Sequence, residues 1–199
     1  MVVVDPGHGG ADGGLADPRG GIEKTAVLRL AKELAGTLGD DFNSILTRDD
    51  DYGLSPGQRA GIANQARAEA FISLHAGTCK YPNRNSITIF VRKNDAWRQS
   101  GFCRGIYADA AAWIYNQAAY QEASRRLARL LASSFARFMP ADVKVSVRQA
   151  PILVLRGVRA PAVLVEIGML LSSPGEGEPT ARRLPEAFAE ALKRFLGKD

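Results

Sequence analysis

The chain alternates between short apolar runs rich in β-branched residues and longer stretches whose apolar residues recur every three to four positions. Residues 2–5, VVVD, form a continuous apolar run and predict a buried strand. In residues 23–38, Val27, Leu30, Ala31, Leu34 and Leu38 share one helical face, which predicts an amphipathic helix. NSILT (43–47) predicts a second strand. The turn-rich DDDYGLSPG follows, and SPGQRAGIANQARA (55–68) predicts a helix. AFISLH (70–75) predicts a third strand. SITIFVR (86–92) alternates and predicts a fourth, at an edge of the sheet. Residues 93–118 have no clear period. Residues 120–138 predict a strong helix, with Ala123, Leu127, Leu130, Leu131 and Phe138 on one stripe. PILVLR (151–156) and PAVLVE (161–166) predict two further strands, and residues 185–196 a last helix opened by Pro185.

Strands and helices in this alternation, with continuous apolar strands, predict an α/β fold. The expected architecture is one three-layer domain over residues 1–199. It has a mainly parallel, twisted sheet of about six strands with helices on both faces. No internal repeat and no dividing linker interrupts it.

Composition narrows the class. Of the 199 residues, 46% are hydrophobic and 24% charged, as in a globular domain with a substantial core. No apolar run approaches the roughly 20 residues of a membrane span. Residue 2 already belongs to a strand, so the chain opens without a secretory leader. It reads either as cytoplasmic or as a domain of a longer secreted precursor. The net charge of +5 points weakly to acidic partners. The basic residues are dispersed and form no nucleic-acid motif, so no nucleic-acid partner is expected. The exception is the stretch from Lys80 to Arg104, with six basic residues and one acid, Asp95. Cys79 and Cys103 bracket that stretch. Two cysteines without CxxC spacing do not make a zinc site, and in an oxidising compartment they could pair.

Candidate chemistry gathers at strand ends. His8 follows the first strand, within DPGHGG. His75 closes the third, after FISL, and Glu166 closes the last, after AVLV. In parallel sheets, ligand sites form beyond the carboxyl ends of strands, so these three residues converge on one edge. Glu23 opens the first helix on its apolar face and enters from that same edge. A carboxylate there needs a partner, because a buried unpaired charge is costly. Each has an ordinary alternative: a His after a strand as a loop hydrogen bonder, a first-turn acid serving the helix dipole, a strand-end Glu in solvent. Together, two histidines and a carboxylate make a catalytic zinc set with a fourth position for water, and a further carboxylate suits a general base. The residues alone leave open which of Glu23 and Glu166 is ligand and which is base. Asp5 is the expected partner for a metal-bound imidazole, or else a cap for the glycine loop.

The segments VVVDPGHGGADGG, GIEKTAVLRLAKEL, ILTRDDD, FISLHA and PAVLVEIG together resemble the zinc-dependent N-acetylmuramoyl-L-alanine amidases of bacterial cell walls, the amidase type 3 family. The resemblance covers nearly the whole chain. It implies His8, Glu23 and His75 as ligands of one Zn2+ and Glu166 as the catalytic acid/base. It implies cleavage of the amide joining N-acetylmuramic acid to L-alanine, with peptidoglycan, glycan strand and stem peptide, as the partner. A periplasmic or cell-wall location follows from that substrate.

The sequence departs from the family at Gly77, where an Asn or Asp is common, and in residues 93–118, which read as an insertion over the cleft. If that insertion, with Trp97, Phe102 and Trp113, gates the site, a protein activator is implied. Arg156, after PILVL, is a candidate contact for a peptide carboxylate, since a guanidinium binds one bidentately. The other readings are a zinc amidase or peptidase for another substrate and a non-catalytic wall-binding domain. The second is disfavoured, because a binder has no need of Glu166.

Overall fold

The protein is described by a computed structural model covering residues 1–16, 21–39, 42–77, 85–93, 117–168 and 181–198. The chain runs β1 (Val2–Pro6), α1 (Glu23–Leu38), β2 (Ser44–Leu46), α2 (Pro56–Gln65), β3 (Ala70–His75), β4 (Ser86–Arg92), α3 (Gln121–Phe138), β5 (Lys144–Ala150), β6 (Ala162–Ile167) and α4 (Leu184–Leu196). The six strands form one sheet in the order β2-β1-β3-β6-β4-β5. β2, β1, β3 and β6 are mutually parallel. β4 runs antiparallel to β6 and parallel to β5.

Strand periodicity divides the core in two. Val2 and Val4 of β1, Ile72 and Leu74 of β3, and Val163 and Val165 of β6 face α1, α3 and α4. Phe135 of α3 and Phe188 of α4 meet edge to face there, with centroids 4.9 Å apart. The opposite face carries Val3, Phe71 and Leu164. It is covered by Ala60 and Ala63 of α2 and by Leu155, Val158 and Ala160. The three-layer arrangement expected from the alternation is therefore present.

α1 spans the residues its stripe predicts. Val27, Leu30, Ala31, Leu34 and Leu38 are buried, and Gly39 at φ 50° ends it. α2 is shorter than 55–68. Ser55 caps it in a reciprocal capping box with Gln58, Pro56 occupies the first turn, and the helix stops at Gln65. Arg67, at φ 51°, then turns the chain.

Two strand expectations are corrected. PILVLR is not a strand; the fifth strand is the polar segment Lys144–Ala150, most of it exposed. Pro151 has no N–H to give a ladder, and residues 151–161 form turns whose Leu155, Val158 and Ala160 fill the second core instead. SITIFVR is not an edge strand either. β4 lies between β6 and β5, and β5 forms the edge. The sequence reading missed β5 because its alternation is carried by only two valines, Val145 and Val147. Cys79, Cys103, Trp97, Phe102, Trp113 and residues 94–116 of the expected insertion lie outside the described residues.

Candidate active site

The carboxyl ends of β1, β3 and β6 lie side by side, because these three strands are adjacent and parallel. That places His8, two residues beyond β1, beside His75 at the end of β3. It also sets His75 in register with Glu166 of β6. The imidazoles of His8 and His75 meet edge to face with centroids 4.8 Å apart.

Glu23 joins them from the first turn of α1. Its Oε1 lies 3.0 Å from His8 Nε2 and 3.1 Å from His75 Nδ1. The backbone N–H of Ala76 donates to that same oxygen at 2.9 Å, and the N–H of Leu15 donates to Oε2 at 2.9 Å. Burial pushes the Glu23 carboxyl up. The hydrogen bonds from His75, His8, Leu15 and Ala76 more than offset it, so the group is held well below the usual carboxylate range. One donor atom from each of His8, Glu23 and His75 lies within 4.8 Å of the others. Two inward-facing imidazole nitrogens converging on one ionised carboxylate oxygen fit a zinc-type ligand set.

The ring partner expected at Asp5 is a different residue. His8 Nδ1 pairs with Asp12 Oδ2 at 2.8 Å, which turns Nε2 toward the cluster. A carboxylate on the outer nitrogen of an imidazole ligand fixes its tautomer and raises its basicity. The Glu23 hydrogen bond raises the pKa of His8, burial works against it, and Asp12 adds to the rise. Asp5 is fully buried and committed elsewhere. It accepts from the hydroxyls of Thr47 and Ser73 and, at 2.7 Å, from Arg59 Nη1.

Glycines shape the wall around these side chains. A Cβ on Gly7 would stand 2.5 Å from His75 Cε1, and one on Gly14 2.6 Å from Glu23 Oε2. His8 itself has φ 60°, a left-handed backbone that costs a non-glycine residue about 1–2 kcal/mol. Two arginines that sequence reading missed hold this loop. Arg48 donates to the carbonyls of Pro6, Gly7, Lys24 and Asp50. Arg59 donates to those of Leu54, Pro6 and His8. Arginines are ordinarily exposed, so nothing in the sequence marks these two as buried. Asp12 had a legible signal, a carboxylate four residues from the histidine within the same glycine loop.

Glu166, in register with His75, brings a further carboxylate to this edge. Burial pushes its carboxyl up to about 7, with His75 and His8 opposing and Glu23 adding to the rise. A carboxyl near neutrality is matched to taking and returning a proton.

Arg156 is not brought to this cluster. It lies in the connection from β5 to the amino end of β6, across the sheet from the histidines. Its Nε is buried without a hydrogen-bond partner among the described residues. That placement does not support the expected carboxylate contact.

Known proteins share this chain's sequence and architecture. A probable N-acetylmuramoyl-L-alanine amidase AmiB of Haemophilus influenzae is 31% identical over 98% of this chain and 51% of its own length. A probable cell wall amidase LytH of Staphylococcus epidermidis is 27% identical over 98% of this chain and 58% of its own length. The chain thus spans roughly half the length of the curated relatives it matches. Among solved structures, the N-acetylmuramoyl-L-alanine amidase AmiC2 of Nostoc punctiforme superposes with a TM-score of 0.74 at 25% identity, covering 98% of this chain and 96% of that one. The catalytic domain of CwlV from Bacillus (Paenibacillus) polymyxa shares the fold with a TM-score of 0.75 at 23% identity, covering 100% and 98%. The family model for N-acetylmuramoyl-L-alanine amidase matches residues 2–193, and the chain belongs to that family.

Proposed function

We propose that this domain hydrolyses the amide between N-acetylmuramic acid and the L-alanine of the stem peptide in peptidoglycan. His8, Glu23 and His75 hold one zinc ion, and Glu166 serves as the acid/base. The observation that carries the reading is the single edge where two imidazoles and the ionised Glu23 converge, with Glu166 in register beside His75. Family membership supplies the substrate class.

Zinc bound there supplies a Lewis acid for the amide carbonyl and lowers the pKa of a water. The protein's own part is to position and to move a proton. Asp12 holds His8 so that Nε2 faces the cluster, and the N–H groups of Leu15 and Ala76 keep Glu23 ionised. Glu166, neutral or charged within a narrow pH range, takes a proton from the attacking water and returns it to the departing amine of L-alanine. A carboxylate does this without adding positive charge beside the two imidazoles.

The setting that suits this substrate is the periplasm or the wall. Among the described residues no helix is long and apolar enough to cross a membrane. A protein activator belongs to this reading only through residues 93–118, of which 94–116 lie outside the described residues.

The test is chemical. Zinc-loaded protein incubated with purified peptidoglycan should release stem peptides bearing new L-alanine amino termini. A chelator should stop the release and added zinc restore it. Zinc bound at one equivalent with no such termini would mean a different substrate.

A further inference from the structure

The carbonyls of Pro6, Gly7 and His8 are three in succession, and two buried guanidiniums take all of them. Arg59 Nη1 reaches Pro6 O and Asp5 Oδ1, each at 2.7 Å, while Nη2 reaches His8 O at 2.7 Å. Arg48 Nη2 reaches Gly7 O at 2.7 Å, and its Nε reaches Pro6 O at 3.1 Å. Both arginines are almost wholly buried, at 6% and 1% exposure, so water does not compete for these bonds. His8, in the middle of this arrangement, keeps the left-handed φ of 60°.

We propose that Arg59 and Arg48 are positioning residues that hold the His8 backbone in its left-handed conformation and so aim its imidazole at the metal position. The proposal rests on the metal reading of His8, Glu23 and His75 given above.

The supports behind each guanidinium are themselves fixed. Arg59 sits in the first turn of α2, which Ser55, Pro56 and Gln58 lock in place. Its Nε donates to Leu54 O at 3.1 Å, and its charge rests on Asp5, itself fixed by Ser73 Oγ at 2.7 Å. Arg48 also ties the loop to α1 through Lys24 O at 2.9 Å, next to the metal-site residue Glu23. A bent, planar fork is needed to reach several carbonyls at once. Lysine has the charge without that geometry. If His8 relaxed to an ordinary negative φ, its carbonyl would leave Arg59 and its ring would leave Glu23.

The experiment compares Arg59→Lys and Arg48→Lys with wild type and with Leu34→Ala, a core variant far from the loop. Two quantities are read for each: the melting temperature of the chelated protein, and zinc affinity by competition with a chromophoric chelator. Each lysine variant should bind zinc tenfold to a hundredfold more weakly, as when a partner behind a metal ligand is removed. Leu34→Ala should melt earlier with unchanged affinity. If one lysine variant does not fold, the other decides by the same comparison. Lysine variants that melt earlier yet bind zinc as tightly as wild type would overturn the proposal, and so would failure of both to fold. Wild type that takes up no zinc, or His8→Ala that binds it undiminished, would instead refute the metal reading itself.

Discussion

Gly7 shows how little room the site leaves. Its Cα faces the His75 ring so closely that an added Cβ would lie 2.5 Å from Cε1 and 2.9 Å from Leu74 O. The backbone atom cannot yield, so the ring must. Gly7→Ala should therefore weaken zinc binding by at least about tenfold, comparable to losing a group that orients a ligand. Isothermal titration with zinc checks this, and unchanged affinity would contradict it. Glu166 sets the pH dependence. Its carboxyl, raised to about 7 by burial, must be ionised to accept a proton. Activity should fall along an acid limb with one proton taken up, and in the zinc-bound protein that limb lies below about 7 because the cation favours the ionised carboxylate. Glu166→Gln should abolish the limb along with most of the rate, about 10²–10⁴-fold. At this scale the sequence was most informative. The convergence of His8, His75, Glu23 and Glu166 on one edge is legible because strand ends and a helix start are visible in hydrophobic periodicity. The acceptor that the His8 ring needs is Asp12 rather than Asp5. Strand side chains stand out from one face of the sheet or the other, and on its face Asp5 meets Ser73, its partner in register, and Arg59 of α2.

Elements explain why the proposed ligands stay put. α1 presents Glu23 from a first turn that Val27 and Leu30 hold against the sheet. α2 delivers Arg59 from a capped first turn, so its start should matter to stability. Ser55→Ala removes the acceptor for Gln58 N–H and should cost about 1 kcal/mol in chemical denaturation. At the packing of α3 on α4, Phe188→Ala should cost about 3–5 kcal/mol, since Phe188 is fully buried against Phe135. Helices were legible to within a few residues wherever one face was apolar. β5 was not. It lies at the exposed edge of the sheet, where polar residues are tolerated and the alternation of KVSVRQA is faint. The apolar run PILVLR was read as a strand because burial, not pairing, makes a run apolar. Leu155 is buried under a turn-rich connection.

Over the whole molecule, the parallel strands β1, β3 and β6 bring residues more than 150 positions apart to one edge, and that arrangement followed from the order of elements. The antiparallel β4 was not foreseen, because strand direction leaves no mark on composition. The clustered charges also link metal-free stability to pH. Glu23 is depressed below its ordinary 4.5, so its contribution is present above 4.5 and is lost as pH falls through the folded value. His8 is raised above its ordinary 6.5, so its contribution is present below 6.5 and is lost as pH rises through the folded value. The chelated protein should therefore gain most from this pair between about pH 4.5 and 6.5. Melting temperatures in chelator across pH should show that contribution disappear in a His8→Ala variant. The most direct measurement of the whole account is peptidoglycan hydrolysis by wild type and Glu166→Ala, with zinc content determined in both. The account predicts one zinc in each and release of L-alanine-terminated peptides by wild type alone. Loss of zinc from Glu166→Ala, or peptide release by it at the wild-type rate, would contradict the roles assigned to Glu166 and to the ligands His8, Glu23 and His75.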